Sequence, residues 1–128
     1  MQIEVFCLCK SVRFNDRREP SLIDIFDTKW AAGEPVLIEP FVVAASIRFY
    51  RTENGTHRFQ FVVREAGKVR ASSTEIVSIS ELPKESTTYF LQMNMKQNYS
   101  TFGTYEFSIE SGGTKIAGTP LYVARGSI

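Results

Sequence analysis

The chain has 128 residues, 43% of them hydrophobic, with ten Phe and five Tyr supplying most of the aromatic weight. That length matches the commonest size of a single domain, and the apolar content is enough to offset ordering entropy, so disorder is excluded and one domain over residues 1–128 is expected. Fifteen Lys and Arg against fourteen Asp and Glu leave a net charge of +1, which offers no basic surface for phosphates and no polybasic membrane anchor.

The opening apolar stretch, residues 1–9, is interrupted by Glu4, follows no basic segment and precedes no small-residue cleavage site, so it reads as a strand rather than a leader. No run approaches the roughly 20 apolar residues of a membrane helix, and the expected location is the cytoplasm. Cys7 and Cys9 are the two cysteines. On a strand they project to the same side, too close for an unstrained disulfide, so no oxidising compartment is implied.

Alternation with period two recurs along the chain, and helical spacing is never sustained. The first strand is expected over 2–10, with Ile3, Val5, Cys7 and Cys9 on one face and Phe6 and Leu8 on the other. A charged turn over 15–20 leads to a second strand over 21–30 carrying Leu22, Ile23, Ile25, Phe26 and Trp30. Gly33, Pro35 and Pro40 break the next stretch, and the third strand follows over 41–51, where Phe41, Val43, Ala45, Ile47 and Phe49 alternate with Val42, Ala44, Ser46, Arg48 and Tyr50.

Asn54-Gly55 predicts a hairpin into a fourth strand over 57–65, and a three-residue loop Asn54-Gly55-Thr56 sets Phe49 opposite Phe61 and Ile47 opposite Val63. After a turn at Ala66-Gly67-Lys68, the Ser- and Thr-rich segment over 69–80 reads as an edge strand or a bulged one. A connection over 81–86 with Pro83 precedes a strand over 87–95 that stripes Tyr89, Leu91, Met93 and Met95 on one face. Strands over 103–109 and 115–123 close the chain through Gly112-Gly113, pairing Ile109 with Ile116, with a bulge near Gly118 to Pro120 restoring Leu121 and Val123 to the core face. Tyr105 stands where many immunoglobulin-like sandwiches use a tyrosine to fasten the preceding loop. About eight strands so spaced predict an all-β fold, an antiparallel two-sheet sandwich, immunoglobulin-like or related.

Three stretches carry a resemblance: Met1-Gln2-Ile3-Glu4-Val5-Phe6-Cys7-Leu8-Cys9, Ile25-Phe26-Asp27-Thr28 and Gly103-Thr104-Tyr105-Glu106-Phe107. Through them the chain resembles a family of small uncharacterised bacterial all-β domains of unknown function. The resemblance implies a sandwich-like fold and transfers no functional residue.

Cys7 and Cys9 suit a soft metal in side-chain direction, yet neither a second Cys pair nor a His cluster accompanies them, so they are expected as core thiols; no metal and no cofactor is expected. His57, the single histidine, is expected as a solvated turn residue, since no nucleophile motif accompanies it. Asp24, Asp27, Glu53 and Glu65 are scattered and give no reason to expect convergence. The register across Asn54-Gly55 gathers Arg48, Tyr50, Arg58, Gln60 and Arg64 on one face as a candidate binding patch, since Arg and Tyr are enriched at hot spots.

Function is therefore expected to be non-catalytic: a binding or assembly module meeting another protein, or a second copy of itself, through a sheet face or open edge. The alternative is a small-ligand or carbohydrate binder that stacks a ring on Trp30, Tyr99 or Phe102 at loop ends. An enzyme is the weakest reading.

Overall fold

The computed structural model describes residues 1–80 and 85–126. Apart from one 3-10 turn at Arg51–Glu53, its regular elements are eleven strands: β1 (Gln2–Phe14), β2 (Pro20–Phe26), β3 (Thr28–Ala31), β4 (Val36–Ile38), β5 (Phe41–Tyr50), β6 (Gly55–Glu65), β7 (Lys68–Ile79), β8 (Ser86–Met95), β9 (Asn98–Ser100), β10 (Gly103–Ser111) and β11 (Thr114–Arg125). The all-β expectation holds, with eleven strands in place of about eight. The connection expected over 81–86 falls mostly on residues 81–84, outside the described residues, and Ser86 already opens β8.

The strands form a four-stranded sheet in the order β2-β1-β5-β8, a five-stranded sheet in the order β3-β11-β10-β6-β7, and a small β4-β9 pair. Pairing is antiparallel except between β3 and β11. Neither larger sheet closes on itself. The odd-numbered residues of β5 and β6 point inward and meet: Phe49, Phe59, Phe61 and Ile47 are fully buried in one cluster with Ile109, Phe107 and Leu121. Rings from the two sheets touch at Phe6–Phe61, with centroids 6.4 Å apart, and at Phe49–Phe59, 6.1 Å apart. The β8 stripe of Tyr89, Leu91, Met93 and Met95 packs against this core as expected.

Several register expectations are corrected. β5 and β6 do not form a hairpin, because β5 pairs with β1 and β8 while β6 pairs with β10 and β7. The short connection around Asn54 carries the chain from one sheet to the other, so that the odd-numbered faces of both strands reach the same core. The segment over 21–30 divides at Asp27, whose carbonyl accepts the Tyr122 N–H at 2.7 Å and so hands the chain to β11 as β3. In the last hairpin Ile109 faces Ala117, not Ile116, because the irregularity sits directly after the turn rather than near Gly118. It achieves the expected end, with Leu121 and Val123 each 3% exposed. Gly112 and Gly113 turn that hairpin at φ of 59° and 80°, where a side chain would be strained. In β1 a bulge between Ile3 and Val5 separates two residues expected on one face.

β1 also runs four residues past its expected end, and that extension shapes one side of the molecule. Cys9 lies level with Val42 and so with Asn94, whereas Phe90 lies four residues back along β8. A straight β1 would hold Phe14 and Phe90 about nine residues, or roughly 30 Å, apart. Their rings are 5.7 Å apart in an edge-on contact. The β1-β2 hairpin therefore doubles back near Lys10, opposite Asp24 at φ 54°, and lays its underside over the outer face of the four-stranded sheet. Val12 and Leu22 pack there on Cys7, Cys9, Val42, Ala44 and Phe90. At the tip, Asn15 Oδ1 accepts the backbone N–H groups of Arg17 and Glu19, both at 2.9 Å.

Candidate functional site

The expected Arg and Tyr patch is not assembled. Arg48 and Tyr50 stand on the outside of the four-stranded sheet, and Arg58, Gln60 and Arg64 stand on the outside of the five-stranded sheet, with the core between the two groups. The correction follows from the missing β5-β6 hairpin. Arg48 is held by Glu4 and donates to Ser86 Oγ at 2.9 Å, and the Tyr50 hydroxyl bonds Gln2 Oε1 at 3.1 Å. Arg64 pairs with the nearly buried Glu110 at 2.7 Å and reaches Ser108 at 3.3 Å. Arg58 and Gln60 remain exposed.

His57 is not a solvated turn residue. It is half-buried on β6, its ring 5.0 Å from that of Phe49, and its Nε2 lies 2.7 Å from the Glu53 carbonyl, to which it donates. Asp24 is exposed at the bend of the hairpin, Asp27 bonds Thr28, and Glu53 accepts the Tyr50 N–H at 2.9 Å, so those three acids do not converge. Cys9 is buried and Cys7 half-buried, in the outer cluster under the hairpin rather than in the main core. Burial pushes both thiols up, and for Cys9 the neighbouring Cys7 adds to it. Among the described residues no group of three His, Cys, Asp or Glu side chains is placed to hold a metal.

A cavity of about 480 Å³ opens between the two larger sheets at the end where β5 begins. Phe41 and Met95 form one wall, Val63, Phe107 and Leu121 the other, and Ile38 of the short β4 the floor. Phe41 anchors the base by packing edge-on against Phe26 at 5.4 Å and Phe107 at 5.7 Å. The β4-β9 pair brings Asn98, Tyr99 and Ser100 to the rim, with Tyr99 66% exposed. Volume and apolar walls are those of ordinary small-molecule sites, which span about 300–1,000 Å³.

A charged cluster stands at the rim. Tyr105 faces Glu65 across the β10-β6 ladder, and its hydroxyl donates either to the Thr101 carbonyl, 3.3 Å away, or to the Glu65 carboxylate. On the next strand the register shifts between Val69 and Ala71, and the extra residue of this bulge is Arg70. Its Nη2 donates to Glu65 Oε1 at 2.6 Å. The Tyr105 hydrogen bond holds the Glu65 carboxyl below the usual carboxylate range despite some desolvation, and the Arg70 charge and hydrogen bond add to that. Tyr105 thus fastens its preceding loop as expected and also lines the cavity.

Of the three aromatics expected to meet a ligand, Tyr99 alone lines this cavity. Trp30 stands half-exposed on β3 beside Gly126, and Phe102 lies under the Arg125 guanidinium at 4.9 Å. Arg70 was not anticipated: its signal, a bulge in a Ser- and Thr-rich edge strand, marks a place without saying which residue is re-aimed.

A family described as of unknown function, DUF6941, matches residues 4–124. The chain belongs to this family. The resemblance read from the sequence, to an uncharacterised domain family, agrees with it. A search of curated proteins returned no match. Nearly the whole of this DUF6941 chain, from β1 to β11, lies inside the family's bounds, so the cavity and its rim belong to the family domain rather than to an addition.

Proposed function

We propose that this DUF6941 domain is a two-layer, immunoglobulin-like sandwich that works as a non-catalytic binding module, and that its site is the cavity at the β5 end. The strand order β3-β11-β10-β6-β7, with β3 parallel to β11 and Tyr105 opening β10, supports the immunoglobulin-like reading. The observation that carries the functional reading is the 480 Å³ cavity with apolar walls and a charged cluster, Tyr105-Glu65-Arg70, at its mouth. Such a site takes a small amphipathic molecule, with apolar contact supplying affinity and the cluster supplying orientation. The free thiols at Cys7 and Cys9 suit a reducing cytoplasm.

The test is two-dimensional NMR of the labelled protein against a panel of small apolar compounds. Saturable shifts confined to Ile38, Ala71, Leu121 and their neighbours are expected, and Ala71→Trp, which fills the mouth, abolishes them. Shifts that scatter over the surface, or persist in Ala71→Trp, overturn the proposal.

A second reading is favoured by β7. It is twelve residues long, is hydrogen-bonded on one side to β6, and shows Val69 and Ile76 more than half exposed. An extended segment of a partner protein adds there as a further strand, a mode in which main-chain bonds provide affinity. Replacing Thr74 by Pro on the free edge then removes the interaction while leaving cavity binding intact.

A further inference from the structure

Resting on the cavity reading above, we propose that the molecule it takes is a small monoanion, a carboxylate head on a short apolar tail, with Arg70 receiving the head. Arg70 is the one charged side chain among the described residues lining the cavity. Its contact with Glu65 runs from Nη2 to one carboxylate oxygen, at 2.6 Å. A guanidinium carries five N–H donors in a planar fork, so one edge remains for a second carboxylate in paired geometry. The β7 bulge leaves Arg70 without a partner residue on β6, and its side chain lines the cavity.

Several other polar groups near the mouth are engaged with one another, and the cavity lining itself disfavours the opposite charge. Asn98 donates to the Lys96 carbonyl at 3.1 Å and accepts from Ser100 Oγ at 3.1 Å. Glu34 Oε1 takes the Phe102 N–H at 2.8 Å, and Glu65 takes Arg70 and Tyr105. A cationic head would find no carboxylate among the described residues lining the cavity and would set its charge beside Arg70. A carboxylate finds the remaining edge of the guanidinium. Ile38, Phe41, Phe107 and Leu121 offer nothing to a second polar group, so the remainder of the molecule is hydrocarbon.

Isothermal titration of the full chain with octanoate, 1-octanol and octylammonium, which share one tail, tests this. Octanoate is expected to bind about tenfold or more tightly than octanol, the usual advantage of a charge-assisted hydrogen bond, with octylammonium weakest. Arg70→Gln brings octanoate to the level of octanol and leaves octanol unchanged, which also shows that the variant keeps its fold and cavity. Octanol binding as tightly as octanoate, or octylammonium binding most tightly, overturns the carboxylate assignment while the cavity reading stands. Failure of all three probes to bind overturns the cavity reading itself.

Discussion

Cys9 is fully buried although it faces away from the main core, because the doubled-back β1-β2 hairpin covers it. Phe14→Ala tests that account at the hairpin's outer end, where the ring is 51% exposed and meets Phe90 at 5.7 Å. Burying a whole Phe side chain is worth about 1.5–3 kcal/mol, so half of it contributes about 1 kcal/mol. The edge-on ring contact adds about 0.5–1.5 kcal/mol. Losing both weakens the hairpin's hold by about 2 kcal/mol, which raises the open population roughly thirtyfold at 1.4 kcal/mol per tenfold. In a Cys7→Ala background, Cys9 labelling by an aromatic disulfide reagent under native conditions should accelerate by that factor. The urea midpoint should move much less than a loss of the same size in the main core would produce, because opening is local. Unchanged labelling in Phe14→Ala, or labelling that follows global unfolding in both proteins, would refute the covering role.

Glu110 is 9% exposed and neutralised by Arg64, so Arg64→Ala should cost about 3 kcal/mol in urea unfolding by stranding a buried carboxylate; Arg64→Leu combined with Glu110→Leu should restore most of it, and equal losses in the two proteins would contradict this. Glu65 has its folded value lowered by Tyr105 and Arg70, so its contribution is complete above the unfolded value of about 4.3 and is lost as the pH falls through the lowered value. The melting temperature of Glu65→Gln should accordingly converge on that of the native protein as the pH is taken below the lowered value, and parallel curves would count against the cluster.

The strands that sequence predicts best are those whose two faces differ in chemistry. The odd-numbered residues of β5 and of β8 turn to the main core as their alternation predicts, and β7 lies at a sheet edge. Sheet membership was not legible in the same way. Asn54-Gly55 is compatible with a hairpin turn, and alternation along β5 and β6 is equally satisfied whether the strands lie side by side or across the core from one another. The wrong choice gathered five side chains that the fold divides between two outer surfaces. Strands as short as β4 and β9, three residues each, show no period to detect, yet they supply the floor and part of the rim of the cavity. The cavity arises from strands distant in sequence ending at one level, so only Tyr99 and Tyr105 among its polar residues carried a local signal. The cover over Cys7 and Cys9 was hidden because an apolar outer face reads as core whichever element hides it.

The transfers of the chain between layers, at Asp27 and again around Asn54, bear on how the polypeptide comes to order. Stretches of neighbouring sequence are dealt out to different layers, so a nascent or truncated chain that ends before β10 leaves β6 without its central partner and β3 with nothing to join. Partners that must be fetched across many tens of residues impose a large search, and domains of this wiring typically reach their native form over milliseconds to seconds. Shortening this polypeptide from its far end should therefore yield an insoluble product rather than a smaller working unit.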